Sequence, residues 1–152
     1  MSKFNFPSIK ETNDLSNLRK EVRNFITKSL NHKEFEPSAD AWVFSASPEF
    51  SKKLGSMGWL GMSFPKKYGG NERTALERYV VTEELLASGA PVAAHWIADR
   101  QSGSQILRYG NEEQKKSIIP KITAGECFFA IGMSEPDSCL LYTSDAADDI
   151  PR

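Results

Sequence analysis

Apolar side chains recur at three- and four-residue intervals over most of the chain, and at two-residue intervals only in one stretch beyond residue 126. Leu15, Leu18, Val22, Phe25 and Ile26 form one stripe of a helix, which Asp14 is placed to cap. The next segment, Asn31 to Ala46, is less periodic, is broken by Pro37, and has Trp42, Val43 and Phe44 as its apolar anchor. Ser47-Pro48-Glu49 supplies a capping hydroxyl, a proline for the first helical position and an acid for the first turn. Phe50, Leu54 and Met57 are expected to face inward from that helix, and Gly58 to end it in a left-handed conformation.

Trp59 to Gly70 reads as an irregular crossing, turned by Pro65 and closed by Tyr68-Gly69-Gly70. Thr74 and Glu77 then make a capping box for a helix with Leu76, Tyr79, Val80, Leu86 and Ala87 on one face. Glu83 and Glu84 on that helix point about 100° apart, so they cannot share a proton and are expected to be a solvated or ion-paired edge. Ser88-Gly89-Ala90-Pro91 restarts a helix that runs past His95, Trp96 and Arg100 to Tyr109. Gly103 inside it costs about 1 kcal/mol relative to alanine, which predicts the close approach of another backbone or a ligand. Asn111 and Gln114 repeat the capping box, and Pro120 is expected to kink or end the last helix. Finally Cys127, Phe129, Ile131 and Met133 alternate with Phe128, Ala130 and Gly132, the period of a strand.

The charge balance adds little: 19 basic and 20 acidic residues give a formal net charge of -1, which offers no field to nucleic acid or an anionic membrane. No apolar run approaches the roughly 20 residues that a membrane helix needs, and Met1-Ser2-Lys3-Phe4-Asn5 contains no signal-peptide core, so a cytoplasmic protein is expected. The two cysteines, Cys127 and Cys139, have no metal or redox spacing, and neither His95 nor His32 has ligand or nucleophile partners in sequence. No metal site is expected, and no residue is assigned as catalytic.

Three motifs in order carry a resemblance. They are Gly58-Trp59-Leu60-Gly61-Met62 with Phe64-Pro65-Lys66-Lys67-Tyr68-Gly69-Gly70, then Tyr109-Gly110-Asn111-Glu112-Glu113-Gln114-Lys115, then Gly132-Met133-Ser134-Glu135-Pro136-Asp137-Ser138. From about Leu15 to Ser138 the chain resembles the acyl-CoA dehydrogenase family. The resemblance implies an all-α fold, the family's N-terminal helical domain, followed by the first strand of a middle β domain. The boundaries expected are an arm over 1–13, the helical domain over 14–125 and the start of the β domain over 126–138.

By the same resemblance the cofactor is FAD, with Ser134 offering a hydroxyl to the flavin's polar edge and Ile131 and Met133 giving backbone and apolar contact. Ala94, Ile97 and Gln101 would line the pocket of the acyl chain. The implied reaction oxidises an acyl-CoA to its trans-2-enoyl-CoA, with electrons passing to an electron-transferring flavoprotein, in a homo- or hetero-oligomer. Beyond Ser138 the pattern stops, and Leu140 stands where the family places a serine. The run Cys139 to Asp149 resembles the conceptual translation of transposon-end adapter DNA, so 139–152 is expected to be a non-native tail. In the family the catalytic glutamate belongs to a C-terminal helical bundle, so the chain as given is expected to be an inactive fragment. A non-catalytic helical association module, or a related flavin monooxygenase or nitroalkane oxidase, are the alternative readings.

Overall fold

Helix α1 (Asn13–Asn31) buries Leu15, Leu18, Val22 and Ile26, the stripe expected from their spacing. Its cap is Thr12, two residues earlier than the expected Asp14: the Thr12 hydroxyl accepts the Leu15 N–H at 3.3 Å, and Asp14 instead supplies negative charge to the first turn. The structure, a computed structural model, describes residues 11–132. Most of the 1–13 arm, Met133, Ser134 and the expected tail lie outside these residues.

The linker contains one helical turn, α2 (Ala41–Phe44), in which only Ala41 is buried. Trp42, Val43 and Phe44 are exposed, contrary to the anchoring role expected of them. A single turn has one inward position, and Ala41 occupies it; Trp42 rests its ring on Trp96, centroids 5.9 Å apart. Helix α3 (Pro48–Ser56) starts as expected, with the Phe50 N–H on the Ser47 hydroxyl at 3.1 Å. Phe50 and Leu54 are buried, whereas Met57 caps the end and is exposed.

The crossing that follows bonds largely to itself: Gly70 N–H reaches the Pro65 carbonyl, Glu72 N–H the Phe64 carbonyl and Arg73 N–H the Met62 carbonyl. It includes one 3-10 turn, Lys66–Tyr68. Helix α4 (Ala75–Ala87) opens with the complete Thr74–Glu77 capping box, but its buried face is Val80, Val81, Glu84 and Leu85. Leu76, Tyr79 and Leu86 are exposed, because packing against α1 turns the Val81–Leu85 side inward. The expected helix from Pro91 to Tyr109 is present as α5 (Ala93–Ile97) and α6 (Gly103–Tyr109), joined by a π turn over Ala98–Ser102. Helix α7 (Glu112–Thr123) has the second complete capping box and continues through Pro120 to Thr123. Ile119 and Ile122, both buried, flank the proline and keep the helix going for one further turn despite the missing N–H.

Two apolar clusters hold these elements. The larger joins α1, α3 and α4 through Val22, Phe50, Leu54 and Val81, with Trp59, Leu60 and Met62 from the crossing. The second packs Phe64 and Tyr68 against Ala98, Ile119 and Ile122. Phe64 accounts for Gly103, since a Cβ on that glycine would lie 2.7 Å from the Phe64 ring. The close neighbours are therefore a side chain, which was not expected, and the Ala98 carbonyl oxygen of the π turn at 2.8 Å.

Residues 126–132 belong to no β-ladder, and the isolated Ala46–Val92 bridge is the pairing found among the described residues. The alternation of Cys127 and Phe129 still operates, with both half-buried against the second cluster while Phe128, Ala130 and Ile131 are exposed. The segment has the side-chain pattern of a strand without the backbone partner that would make it one. The two capping boxes offer a direct check: Thr74→Ala and Asn111→Ala should each lower stability by about 1 kcal/mol in urea unfolding, and losses below about 0.3 kcal/mol would mean that packing alone defines these ends.

Candidate functional site

The residues expected to line a substrate pocket lie on the α5–α6 rod. Ala94 and Ile97 are half-buried and Gln101 is exposed, whereas their neighbours His95, Ala98 and Asp99 are buried. The rod thus turns one side to the core and leaves these three accessible on the other. Its π turn bonds the Gly103 N–H to the Ala98 carbonyl, five residues back. The extra residue per turn interrupts the regular helical register between Ile97 and Gly103, a feature concentrated at functional sites. Two surface clefts, of about 470 and 290 Å³, lie away from this face. The first runs beside Trp42 and Leu86; the second lies between Leu15, Leu76 and Tyr79, where its charged groups, Glu11, Arg19 and Glu83, are paired with one another.

Behind the accessible face is a polar cluster that ties the rod down. Asp99 accepts the Gly61 N–H at 2.6 Å through Oδ1 and an Arg78 N–H at 3.2 Å through Oδ2. Arg78 also donates to the Asp99 carbonyl oxygen at 3.2 Å. One aspartate therefore connects the crossing, α4 and the π turn. Arg100 lies over the Trp96 ring, 4.3 Å from its centroid, and donates to the Thr82 hydroxyl. Burial lowers its pKa, and the neighbouring Arg78 charge acts in the same direction.

His95 joins the rod to α3: its Nδ1 is 2.8 Å from the Ser51 hydroxyl oxygen, which accepts from the ring when the single hydroxyl proton is donated to the Ser47 carbonyl. Burial pushes the imidazole pKa down to about 4. The ring is neutral in the folded state below the pH at which it would charge in the unfolded chain. Between its unfolded value of 6.5 and about 4, the unfolded chain binds the extra proton, so stability falls as pH falls through that window and levels off below it. The loss should reach about 3 kcal/mol. Denaturation midpoints of the protein and of His95→Gln across this range isolate the effect, and parallel profiles would exclude it.

Ile131 is the one expected flavin contact among the described residues, exposed on the unpaired extended segment. Met133 and Ser134 lie outside them. Among the described residues the segment offers a flavin the exposed Ile131 side chain and its unpaired backbone groups, and no chemical step is drawn through the cofactor. Of the paired acids, Glu84 is buried and takes Arg23 Nε at 2.7 Å together with an Arg19 N–H, while Glu83 takes Arg19 at 2.6 Å. The Arg23 hydrogen bond, with that from Arg19, holds the Glu84 carboxyl below its usual range. These are ion-paired links between α1 and α4, the second of the two expected alternatives. No cluster that could hold a metal ion occurs among the described residues, and no described helix is long and apolar enough to cross a membrane.

The Asp99–Arg78 link and the Ser51–His95 bond were not anticipated from the sequence. A signal for the first exists in hindsight: His95 and Asp99 are four apart in a mostly apolar helical run, so a single helix face carries both. Their partners come from 44 residues back for His95 and 21 residues back for Asp99, which no local pattern supplies.

Residues 12–126 match the model of the acyl-CoA dehydrogenase N-terminal domain. Acyl-CoA dehydrogenase FadE26 of Mycobacterium tuberculosis is 32% identical over 123 residues, which cover 78% of this chain and 30% of that protein. Among solved structures, the Tcur3481-Tcur3483 steroid ACAD has a TM-score of 0.73 and 35% identity, covering 87% of this chain and 34% of its own. A glutaryl-CoA dehydrogenase from Mycobacterium smegmatis in complex with FADH2 has a TM-score of 0.65 and 26% identity, covering 84% and 32%. The chain spans about a third of the length of these relatives. The ordered helices, the crossing with its Phe64 insertion and the matched residues lead to one assignment: this chain belongs to the acyl-CoA dehydrogenase family, whose members are FAD-dependent flavoproteins, and carries that family's N-terminal helical domain.

Proposed function

We propose that this chain is the N-terminal part of an FAD-dependent acyl-CoA dehydrogenase that oxidises an acyl-CoA to its trans-2-enoyl-CoA, and that it is inactive as given. The observation that carries the reading is the family match over residues 12–126. The accessible side of the α5–α6 rod supports it: Ala94, Ile97 and Gln101 form one wall that further parts of the protein would close over an acyl chain. FAD would meet Ile131, Met133 and Ser134, and when bound would supply the acceptor for the hydride. Within this chain Ile97 would exclude water and limit chain length, and the Gln101 amide would hydrogen-bond at the pocket's edge. An electron-transferring flavoprotein as electron acceptor, assembly into an oligomer and a cytoplasmic location belong to the same reading.

Sequencing the source locus past the codon for Ser138 from untagmented DNA tests it. A frame that continues through a β domain into a helical bundle bearing a glutamate is expected. A frame that ends at Arg152 would remove the enzymatic reading. In the protein read from that longer frame, Ile97→Trp should raise the KM for long acyl-CoA substrates by roughly tenfold and leave the shortest ones little changed. Equal effects on all chain lengths would take Ile97 out of the pocket wall.

A further inference from the structure

Arg78 Nε is the buried side-chain nitrogen or oxygen that has no hydrogen-bond partner among the described residues. Its Nη2 is occupied twice over by Asp99, so the guanidinium is fixed in place and cannot turn to satisfy Nε without giving up those bonds. A buried donor on a charged group is costly to leave unpaired. Arg78 borders a cavity of about 20 Å³ between α4 and the π turn, whose polar lining is completed by Thr82, His95, Asp99 and Arg100 and whose remaining walls are apolar, Trp59 and Trp96 among them.

We infer that this cavity is a binding site for a single water molecule, which accepts the Arg78 Nε–H and bonds to the imidazole of His95. The size suits one water, which needs roughly 10 to 15 Å³ measured in this way and two to four polar partners. The chemistry of the walls selects it over an ion. An anion would face the Asp99 carboxylate, and a cation would face Arg78 and Arg100. A neutral ligand that both donates and accepts suits walls of both signs. It also suits His95: with Nδ1 engaged by Ser51, the ring offers Nε2, and water can serve either tautomer by donating to a bare nitrogen or accepting from a protonated one. The water is then a further link between α4 and the rod, next to the direct one that Asp99 makes. This site does not depend on the acyl-CoA reading.

A crystal structure of the full chain at a resolution that shows ordered solvent tests the site, with a bromide-soaked crystal beside it. A spherical peak within about 2.7 to 3.2 Å of Arg78 Nε, with a second polar neighbour and no bromide anomalous signal, is the expected result. In solution the Arg78 Nε–H should show a cross-peak to a long-lived bound water. A cavity without density, an Arg78 Nε turned onto a protein acceptor, or an anomalous bromide peak in the cavity would each overturn the inference.

Discussion

Gly125→Ala should destabilise the protein by roughly 4 kcal/mol, whereas Gly58→Ala should lose about 1 kcal/mol. The two glycines do the same local work. Each follows a helix and has positive φ, +71° at Gly125 and +70° at Gly58. Each closes its helix with the same pair of bonds: Gly125 and Glu126 donate to the Ile122 and Lys121 carbonyls, as Gly58 and Trp59 donate to those of Gly55 and Leu54. Their surroundings separate them. A Cβ on Gly125 would lie 2.3 Å from the Ser51 carbonyl oxygen and 2.5 Å from its carbon, both backbone atoms of α3. On Gly58 it would meet only the Asn71 amide, a side chain that can move, at 3.4 Å. The φ penalty is thus shared, and the overpacking falls on Gly125 alone. Gly55 faces the same contact from the other side, with its Cβ position 2.5 Å from the Ala124 backbone, so α3 and the end of α7 touch through two glycines. Urea midpoints of the two variants decide the matter: equal losses would mean that the α3–α7 contact relaxes freely and that only φ matters.

That contact also marks where the sequence was readable and where it was not. The caps at Ser47, Thr74 and Asn111 follow from residues within three positions of one another, and all three were legible. The α1 stripe was legible for the same reason, since a helix with one partner side has one apolar side. Helix α4 defeated the pattern because two of its apolar residues, Leu76 and Tyr79, lie outside the face that meets α1, while a glutamate, Glu84, lies inside it. Burial of that glutamate is made possible by Arg19 and Arg23, more than 60 positions earlier, and periodicity carries no record of such pairs. Pro120 shows the same limit in reverse: local stereochemistry argues for a break, and the burial of Ile119 and Ile122 overrides it.

For the candidate site, the accessible residues of the rod were named by resemblance alone, and the part that fixes them was not foreseen. Ala94, Ile97 and Gln101 have no property of their own that marks a pocket. What distinguishes their helix is the π turn and the polar cluster beneath it, both tertiary features. The proposed pocket wall would need a rigid back, and behind these residues lies buried charge where a plain core would use leucine.

Asp99→Ala should therefore be the most disruptive polar substitution in the domain, at about 4 kcal/mol, because breaking a buried ion pair by removing one partner leaves the other uncompensated. Asp99 has three separate functions in the fold. Its Oδ1 satisfies the N–H of Gly61, a residue at φ +59° where an added Cβ would lie 2.3 Å from the Thr123 methyl group. Its Oδ2 neutralises Arg78, and its backbone sits in the π turn itself. Asp99→Asn separates the first function from the second. The amide oxygen can still take the Gly61 N–H, while the amide NH2 meets Arg78 donor to donor, so a loss of about 2 kcal/mol is expected. Hydrogen exchange adds a readout that overall stability lacks: the Gly61 amide should lose protection in the alanine variant and keep most of it in the asparagine variant. If both variants stayed within about 0.5 kcal/mol of the parent, as ordinary surface substitutions do, the carboxylate would be a tolerated passenger. The accessible side of the rod would then be positioned by Phe64 and the second apolar cluster alone. With the expected ordering, one charged side chain, bridging 38 residues to Gly61 and 21 to Arg78, contributes most among the polar links that hold the rod.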